Sequence, residues 1–183
     1  MQRSLIHGWL EKYPIAAFVL LTYSVTTVVW VAIVTLYGRV PIEELFNQGS
    51  SVLLVYIGAG APTIAALVIT ALTQGKSGLV ELGKLLIRVR IGIFPWLLAI
   101  GLPFAMAFAA VAIYGLLFAN LGNSEFPDWY AFIPPSALVV FFAGPLCEEL
   151  GWRGYLQPHL LHKVGPLKAA ILIGVIWCFW HVP

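Results

Sequence analysis

The chain has 183 residues, of which 61% are apolar and 10% are charged. In soluble globular domains about a quarter of the residues are charged. Ten basic and eight acidic side chains cannot cover a compact soluble protein of this length, so the composition excludes an ordinary soluble fold and predicts an integral membrane protein. The net charge of +2 is too small to indicate nucleic-acid binding, and Cys147 and Cys178 lie inside apolar segments, which excludes a disulfide framework.

Apolar segments predict the fold class, an all-α polytopic membrane protein with about five transmembrane helices. The first segment, residues 15–37, is long enough as a helix to cross a bilayer core of roughly 30 Å. Further spans are predicted over residues 52–72, 94–119 and 131–150. A fifth begins near Leu167 and is still apolar at Pro183, so we expect a truncated last helix. Residues 1–183 are then one transmembrane domain that is incomplete at its C-terminus.

Basic residues are concentrated in alternate connecting segments, namely the N-terminus and residues 73–93 and 153–168. The intervening segment 120–130 is acidic and aromatic. Because Lys and Arg are retained on the cytoplasmic side, this asymmetry predicts a cytoplasmic N-terminus. Leucines at helical spacing within Gly78–Arg90 predict an interfacial helix.

Two adjacent carboxylates, Glu148 and Glu149, lie at the end of the predicted fourth span, and an ionised group near the bilayer centre costs on the order of 3 kcal/mol or more. Glu149 and Arg153 are spaced to pair on one face of a helix, which leaves Glu148 roughly 100° away. A carboxylate without a partner in a poorly hydrated site is suited to taking up and returning a proton, so Glu148 is predicted to be a general base. The alternative is that both glutamates are hydrated at the cytoplasmic edge of the span, with Arg153 as an anchor.

His181 is predicted to lie within the fifth span, where a histidine needs a partner. If spans four and five form an antiparallel hairpin that turns near Val164 and Gly165, His181 is level with Glu149 to within about one helical turn, roughly 5 Å. The alternatives are a hydrogen bond between helices and an interfacial position beside Trp177 and Trp180.

Other catalytic motifs are absent from the sequence. It has no H-E-x-x-H of zinc proteases, no G-x-G-D of intramembrane aspartyl proteases and no G-x-x-x-x-G-K of nucleotide-binding proteins. The remaining chemistry is therefore concentrated at Glu148, Glu149, Arg153 and His181.

These residues resemble the motifs of the CPBP family of intramembrane proteases (CAAX protease and bacteriocin-processing, or Abi), which includes the type II CAAX prenyl endopeptidases. The family's E-E-x-x-x-R motif is matched by Glu148-Glu149-Leu-Gly-Trp-Arg153. Its F-x-x-x-H motif is matched by Trp177-Cys-Phe-Trp-His181, with tryptophan in the phenylalanine position. A third family motif, H-x-x-x-N on a later helix, does not occur up to Pro183, so we expect the chain to be an inactive or poorly active fragment.

The resemblance implies hydrolysis of a peptide bond in a membrane-associated substrate, either a prenylated CAAX-type protein or a bacteriocin-related peptide, in a bacterial plasma membrane. It implies Glu148 as the base, His181 as its partner at the attacking water, and Glu149 with Arg153 as an orienting pair. Two carboxylates and one histidine could ligate Zn²⁺, with Glu148 and His181 as ligands, or could activate water without a metal. The cofactor is therefore left open between zinc and none.

Two other functions are compatible with the sequence. A catalytically incomplete scaffold or immunity protein would bind a membrane peptide without cutting it. A proton-coupled transporter would use Glu148 and His181 as a relay, although the short loops and the absence of a sequence repeat are unlike transporters. In each case the expected partners are the lipid bilayer and a membrane-associated substrate, without nucleic acid or a soluble partner.

Overall fold

The computed structural model describes residues 5–39, 44–45, 49–87, 92–118 and 145–182. These residues form helices and turns with no strand among them, which confirms the all-α prediction. They belong to two compact units, one comprising Met1–Leu86 with Pro135–Pro183 and the other Ile87–Pro134. The single-domain prediction stays a prediction.

The first unit carries most of the helices, and the second carries one long apolar helix. In chain order the helices are α1 (Leu5–Lys12), α2 (Pro14–Tyr37), α3 (Gly49–Ala59), α4 (Ala61–Lys84), α5 (Ile93–Phe118, in the second unit), α6 (Pro145–Glu149), α7 (Gln157–Val164) and α8 (Pro166–Trp180). A 3-10 turn, Leu85–Ile87, follows α4, and a π-helical segment, Leu150–Leu156, joins α6 to α7.

Proline and glycine set several helix boundaries. Pro14 begins α2 and Pro166 begins α8, where the missing proline N–H costs nothing because the first turn has no acceptor for it. Gly165 precedes Pro166 with φ 78°, a left-handed conformation that glycine adopts without a Cβ penalty. The turn predicted near Val164 and Gly165 is therefore present between α7 and α8.

The predicted second span is divided in the structure. Helix α3 ends at Ala59 and α4 begins at Ala61, with Gly60 between them and Pro62 in the first turn of α4. Helix α4 then continues to Lys84, well past the predicted end of the span, with a non-helical backbone at Gly75 (φ 64°, ψ −153°). The segment after residue 72 is thus largely helical.

Two of the described helices are long and apolar enough to cross a membrane, Pro14–Tyr37 and Ala61–Ile87. Pro166–Trp180 is apolar but shorter, at 15 residues. Most of the predicted fourth span lies outside the described residues, so the five-span prediction is not confirmed. Helix α8 ends at Trp180, and His181 is its C-terminal capping residue. That His181 lies within a membrane span stays a prediction.

An aromatic cluster holds α2, the π-helical segment and α8 together. Phe18 packs edge-on against Trp152 (ring centroids 5.4 Å apart) and stacks on Tyr155 at the same centroid distance. Trp152 also meets Trp180 edge-on at 5.7 Å. All four side chains are buried, so aromatic packing defines where the end of α8 lies relative to α2.

Candidate active site

The π-helical segment Leu150–Leu156 begins directly after the two glutamates. Gly151 in this segment lies against α4 so closely that a Cβ atom there would overlap the backbone of Pro62. Trp152, Tyr155 and Leu156 are buried, whereas Arg153 is exposed. Single π turns inside α-helices are frequent at functional sites because the extra residue redirects the side chains around it.

Glu148 is held by a side chain of α8. The indole Nε1–H of Trp177 donates a hydrogen bond to Oε2 of Glu148 at 3.1 Å. This contact orients the carboxyl group of Glu148. It joins the end of α8 to α6.

His181 closes the end of α8 with its own side chain. Its backbone N–H bonds to Cys178 instead of Trp177, which leaves the Trp177 carbonyl without its helical partner. Nδ1 of His181 lies 2.8 Å from that carbonyl oxygen. Because a carbonyl only accepts, Nδ1 is the donor in this contact, and in the neutral imidazole Nε2 then has the free lone pair.

Two indoles flank the imidazole of His181. The ring centroids of Trp177 and Trp180 lie 4.5 Å and 4.8 Å from that of His181, both with nearly perpendicular planes. The ring is therefore confined by packing on two sides and by one hydrogen bond.

Glu148 and His181 line a single cavity of about 210 Å³. The rest of its lining comes from α2, α3 and the end of α8: Thr26, Trp30, Val55, Gly58, Ala59 and Trp180. A volume of this size holds several water molecules, each of which occupies about 30 Å³ in the liquid. The cavity thus joins a carboxylate, an imidazole with an available nitrogen and room for water.

Glu149 and Arg153 lie elsewhere. Nη1 of Arg153 donates to Oε1 of Glu149 at 2.7 Å, so the ion pair expected from their spacing is present. The pair lines a different pocket together with Leu85 and Leu86. The structure therefore brings Glu148 to His181 and keeps Glu149 with Arg153.

Sequence reasoning missed the walls of the cavity. Thr26, Trp30 and Val55 belong to helices that are distant in sequence from the motifs. Residues of these types are common in apolar segments and do not indicate a functional site. Thr26 offered a weak signal, because a hydroxyl in an apolar helix needs a partner.

The last part of the chain matches a known family. Residues 129–183 match the sequence model of the type II CAAX prenyl endopeptidase Rce1-like family. The chain is also 26% identical over 178 residues to CAAX prenyl protease 2 of Methanococcus maripaludis, a match that covers 94% of this chain and 63% of that relative. Together these matches support assignment to the CPBP/Rce1-like family. No solved structure matches the chain.

The family match and the cavity overlap only in part. Glu148, Trp177, Trp180 and His181 lie inside the matched residues, whereas Thr26 and the α3 wall lie before them. The cavity is thus completed by helices that the family model does not cover.

The described residues give limited support for a metal centre. Within the ranges that the structure describes, His, Cys, Asp and Glu side chains form no group of three or more that could hold a metal ion. Glu148 and His181 supply two of the three protein ligands that a catalytic zinc site uses. Within the described ranges, these two side chains alone do not complete a zinc site.

Proposed function

We propose that this protein is an intramembrane endopeptidase of the CAAX type, with Glu148 and His181 as its catalytic residues. The observation that carries the proposal is the cavity of about 210 Å³ that both side chains line and that has room for water. The match to the Rce1-like family and the similarity to a CAAX prenyl protease support the reaction class. Because the chain spans 63% of the length of that relative, the activity of the whole protein belongs to this proposal.

In the proposed mechanism Glu148 removes a proton from a water molecule in the cavity. The resulting hydroxide attacks the carbonyl carbon of the scissile peptide bond. In the neutral imidazole with Nδ1–H bonded to the Trp177 carbonyl, Nε2 of His181 accepts a hydrogen bond from the second O–H of the water and orients it, and that hydrogen stays on the attacking oxygen. Glu148 then returns its proton to the leaving amine.

Glu149 and Arg153 act as an orienting pair in this proposal. Their ion pair ties the end of α6 to the π-helical segment and lines a pocket other than the cavity. Of the two glutamates, only Glu148 then takes the proton from the water.

The proposed setting is a bacterial plasma membrane that the protein crosses with about five helices from a cytoplasmic N-terminus. The two long apolar helices and the uneven distribution of Lys and Arg support this arrangement. The substrate is then a membrane-associated chain, either a prenylated CAAX-type protein or a bacteriocin-related peptide.

The test uses the purified full-length protein in detergent and a quenched fluorescent peptide ending in a prenylated CAAX sequence. Glu148→Ala and His181→Ala are each expected to lower the cleavage rate by about 10² to 10⁴, the usual contribution of acid–base residues. Glu81→Ala and His162→Ala are matched controls, because both side chains are exposed and lie outside the cavity.

Full activity in either the Glu148→Ala or the His181→Ala protein would refute the proposal. A parallel assay with a chelator addresses the metal. Activity that survives chelation means that water is activated without a bound metal, and loss that zinc restores means that a metal takes part. The same peptide without its lipid measures whether prenylation is required.

A further inference from the structure

The carbonyl of Gly58 needs a hydrogen-bond donor from outside its own helix. In a continuous helix it would accept from the residue four positions later, which is Pro62 and has no N–H. In apolar surroundings an unpaired carbonyl is costly, so another group has to satisfy it. The hydroxyl of Thr26 on α2 lies 3.4 Å from this oxygen and donates to it.

Thr26 also accepts a hydrogen bond from α8. The indole Nε1–H of Trp180 donates to Oγ1 of Thr26 at 2.7 Å. Thr26 is 2% exposed and Trp180 is 6% exposed, so water does not compete for these bonds. One buried hydroxyl therefore links α3, α2 and α8 at the wall of the cavity.

Trp180 directly precedes His181, and its ring packs edge-on against the imidazole at 4.8 Å. The direction of the indole is specified by one donor, Nε1–H, and one acceptor, the Thr26 hydroxyl. A rotated Trp180 would lose this bond and move one of the two walls that confine His181.

We propose that Thr26 is a positioning residue for His181, acting through the hydrogen bonds from Trp180 to Thr26 and from Thr26 to Gly58. This inference rests on the proposed function, since it concerns the placement of a proposed catalytic residue. It adds a residue from the first long helix, outside both motifs and outside the family match.

The chain offers a matched control one helical turn earlier. Thr22 is fully buried on α2, and its hydroxyl has no hydrogen-bond partner within the described residues. Thr22→Val and Thr26→Val make the same change in the same helix, but only the second removes hydrogen bonds.

The experiment measures kcat and KM on the prenylated peptide for Thr26→Val, Thr26→Ser and Thr22→Val in the full-length protein. Because small displacements of catalytic groups cost up to about 100-fold, we expect Thr26→Val to lower kcat by about 10- to 100-fold with little change in KM. Thr26→Ser, which keeps the hydroxyl, is expected to recover most of this loss. Thr22→Val is expected to match the unsubstituted protein.

Three results would overturn the proposal: equal kcat in Thr26→Val and Thr22→Val, equal losses in Thr26→Val and Thr26→Ser, or a loss confined to KM. If Thr26→Val does not fold, Trp180→Phe removes the same hydrogen bond from its other end. Full activity in Trp180→Phe would then overturn the proposal, and a kcat loss would support it. Glu148→Ala is run alongside, since activity in that protein would refute the proposed function itself.

Discussion

Glu148 and Glu149 are neighbours with the same side chain, yet they occupy different environments. Glu148 faces a cavity that it shares with His181 and accepts a hydrogen bond from Trp177. Glu149 points to another pocket and is bound to Arg153 four residues along its own chain segment.

The difference follows from where each partner comes from. Glu149 is paired locally, by a residue on the following turn, and its charge is balanced there. Glu148 receives its neighbours from α8 and from α2 and α3, which the fold brings to it. A helix turns about 100° per residue, so adjacent positions meet different neighbours.

The largest expected effect separates the two carboxylates directly. Glu148→Gln keeps the size of the side chain and removes the base, so kcat is expected to fall by about 10² to 10⁴. Glu149→Gln loses a partly exposed ion pair, which is worth up to about 1 kcal/mol, and is expected to retain activity within about tenfold. Peptide cleavage by the two purified proteins measures both.

The two variants control for each other, since they make one chemical change at adjacent positions. Equal losses of activity would contradict the division between the two environments. Circular dichroism and size-exclusion profiles establish that both proteins are folded.

A smaller effect is expected on stability, at the close contact between the π-helical segment and α4. Gly151→Ala introduces a methyl group that overlaps the Pro62 backbone, and overpacking of this kind costs about 1 to 3 kcal/mol. Thermal unfolding in detergent is therefore expected to shift down by several degrees. Gly174→Ala on α8 is the control, because its added Cβ would meet no atom within 4 Å. Equal unfolding temperatures for the two proteins would show that the contact is looser than described.

The smallest effect concerns the hydrogen bond that distinguishes Glu148 from Glu149. Trp177→Phe keeps an aromatic ring and removes the N–H, so kcat is expected to fall about threefold to tenfold, equivalent to roughly 1 kcal/mol. Steady-state cleavage kinetics measure the change, and Phe179→Leu on the same helix, at an exposed position, is the control. An unchanged kcat would mean that Trp177 does not orient the base.

The helical fold was largely predictable from hydrophobic runs. The run 15–37 corresponds to α2, and the run 94–119 corresponds to Ile93–Phe118. Long apolar segments without charges are typical of membrane-spanning helices, so both could be predicted. The division of the second span has a local signal, because Gly60 and Pro62 both favour a break in a helix. The π-helical segment has no such signal, and the close fit of Gly151 against Pro62 joins residues distant in sequence.

Only the ionisable residues of the candidate site were predictable from the sequence. Glu148 and His181 stand out because polar groups are costly in apolar segments, and the hairpin turn at Gly165 brings their helices close. That Trp177 donates to Glu148 depends on the rotation of α8 about its axis. The edge-on contact of Trp180 with Trp152 helps to specify that rotation.

The sequence by itself determined an all-helical, membrane-type chain, the resemblance to CAAX-type proteases, and the local pair of Glu149 and Arg153. These features depend on composition and on residues within a turn or two of each other. Only the tertiary structure decided that Glu148 shares a cavity with His181 and that Thr26 joins three helices at its wall. The reason is physical: buried hydrogen bonds and aromatic contacts between distant segments form only when the whole unit packs, and no local pattern encodes them.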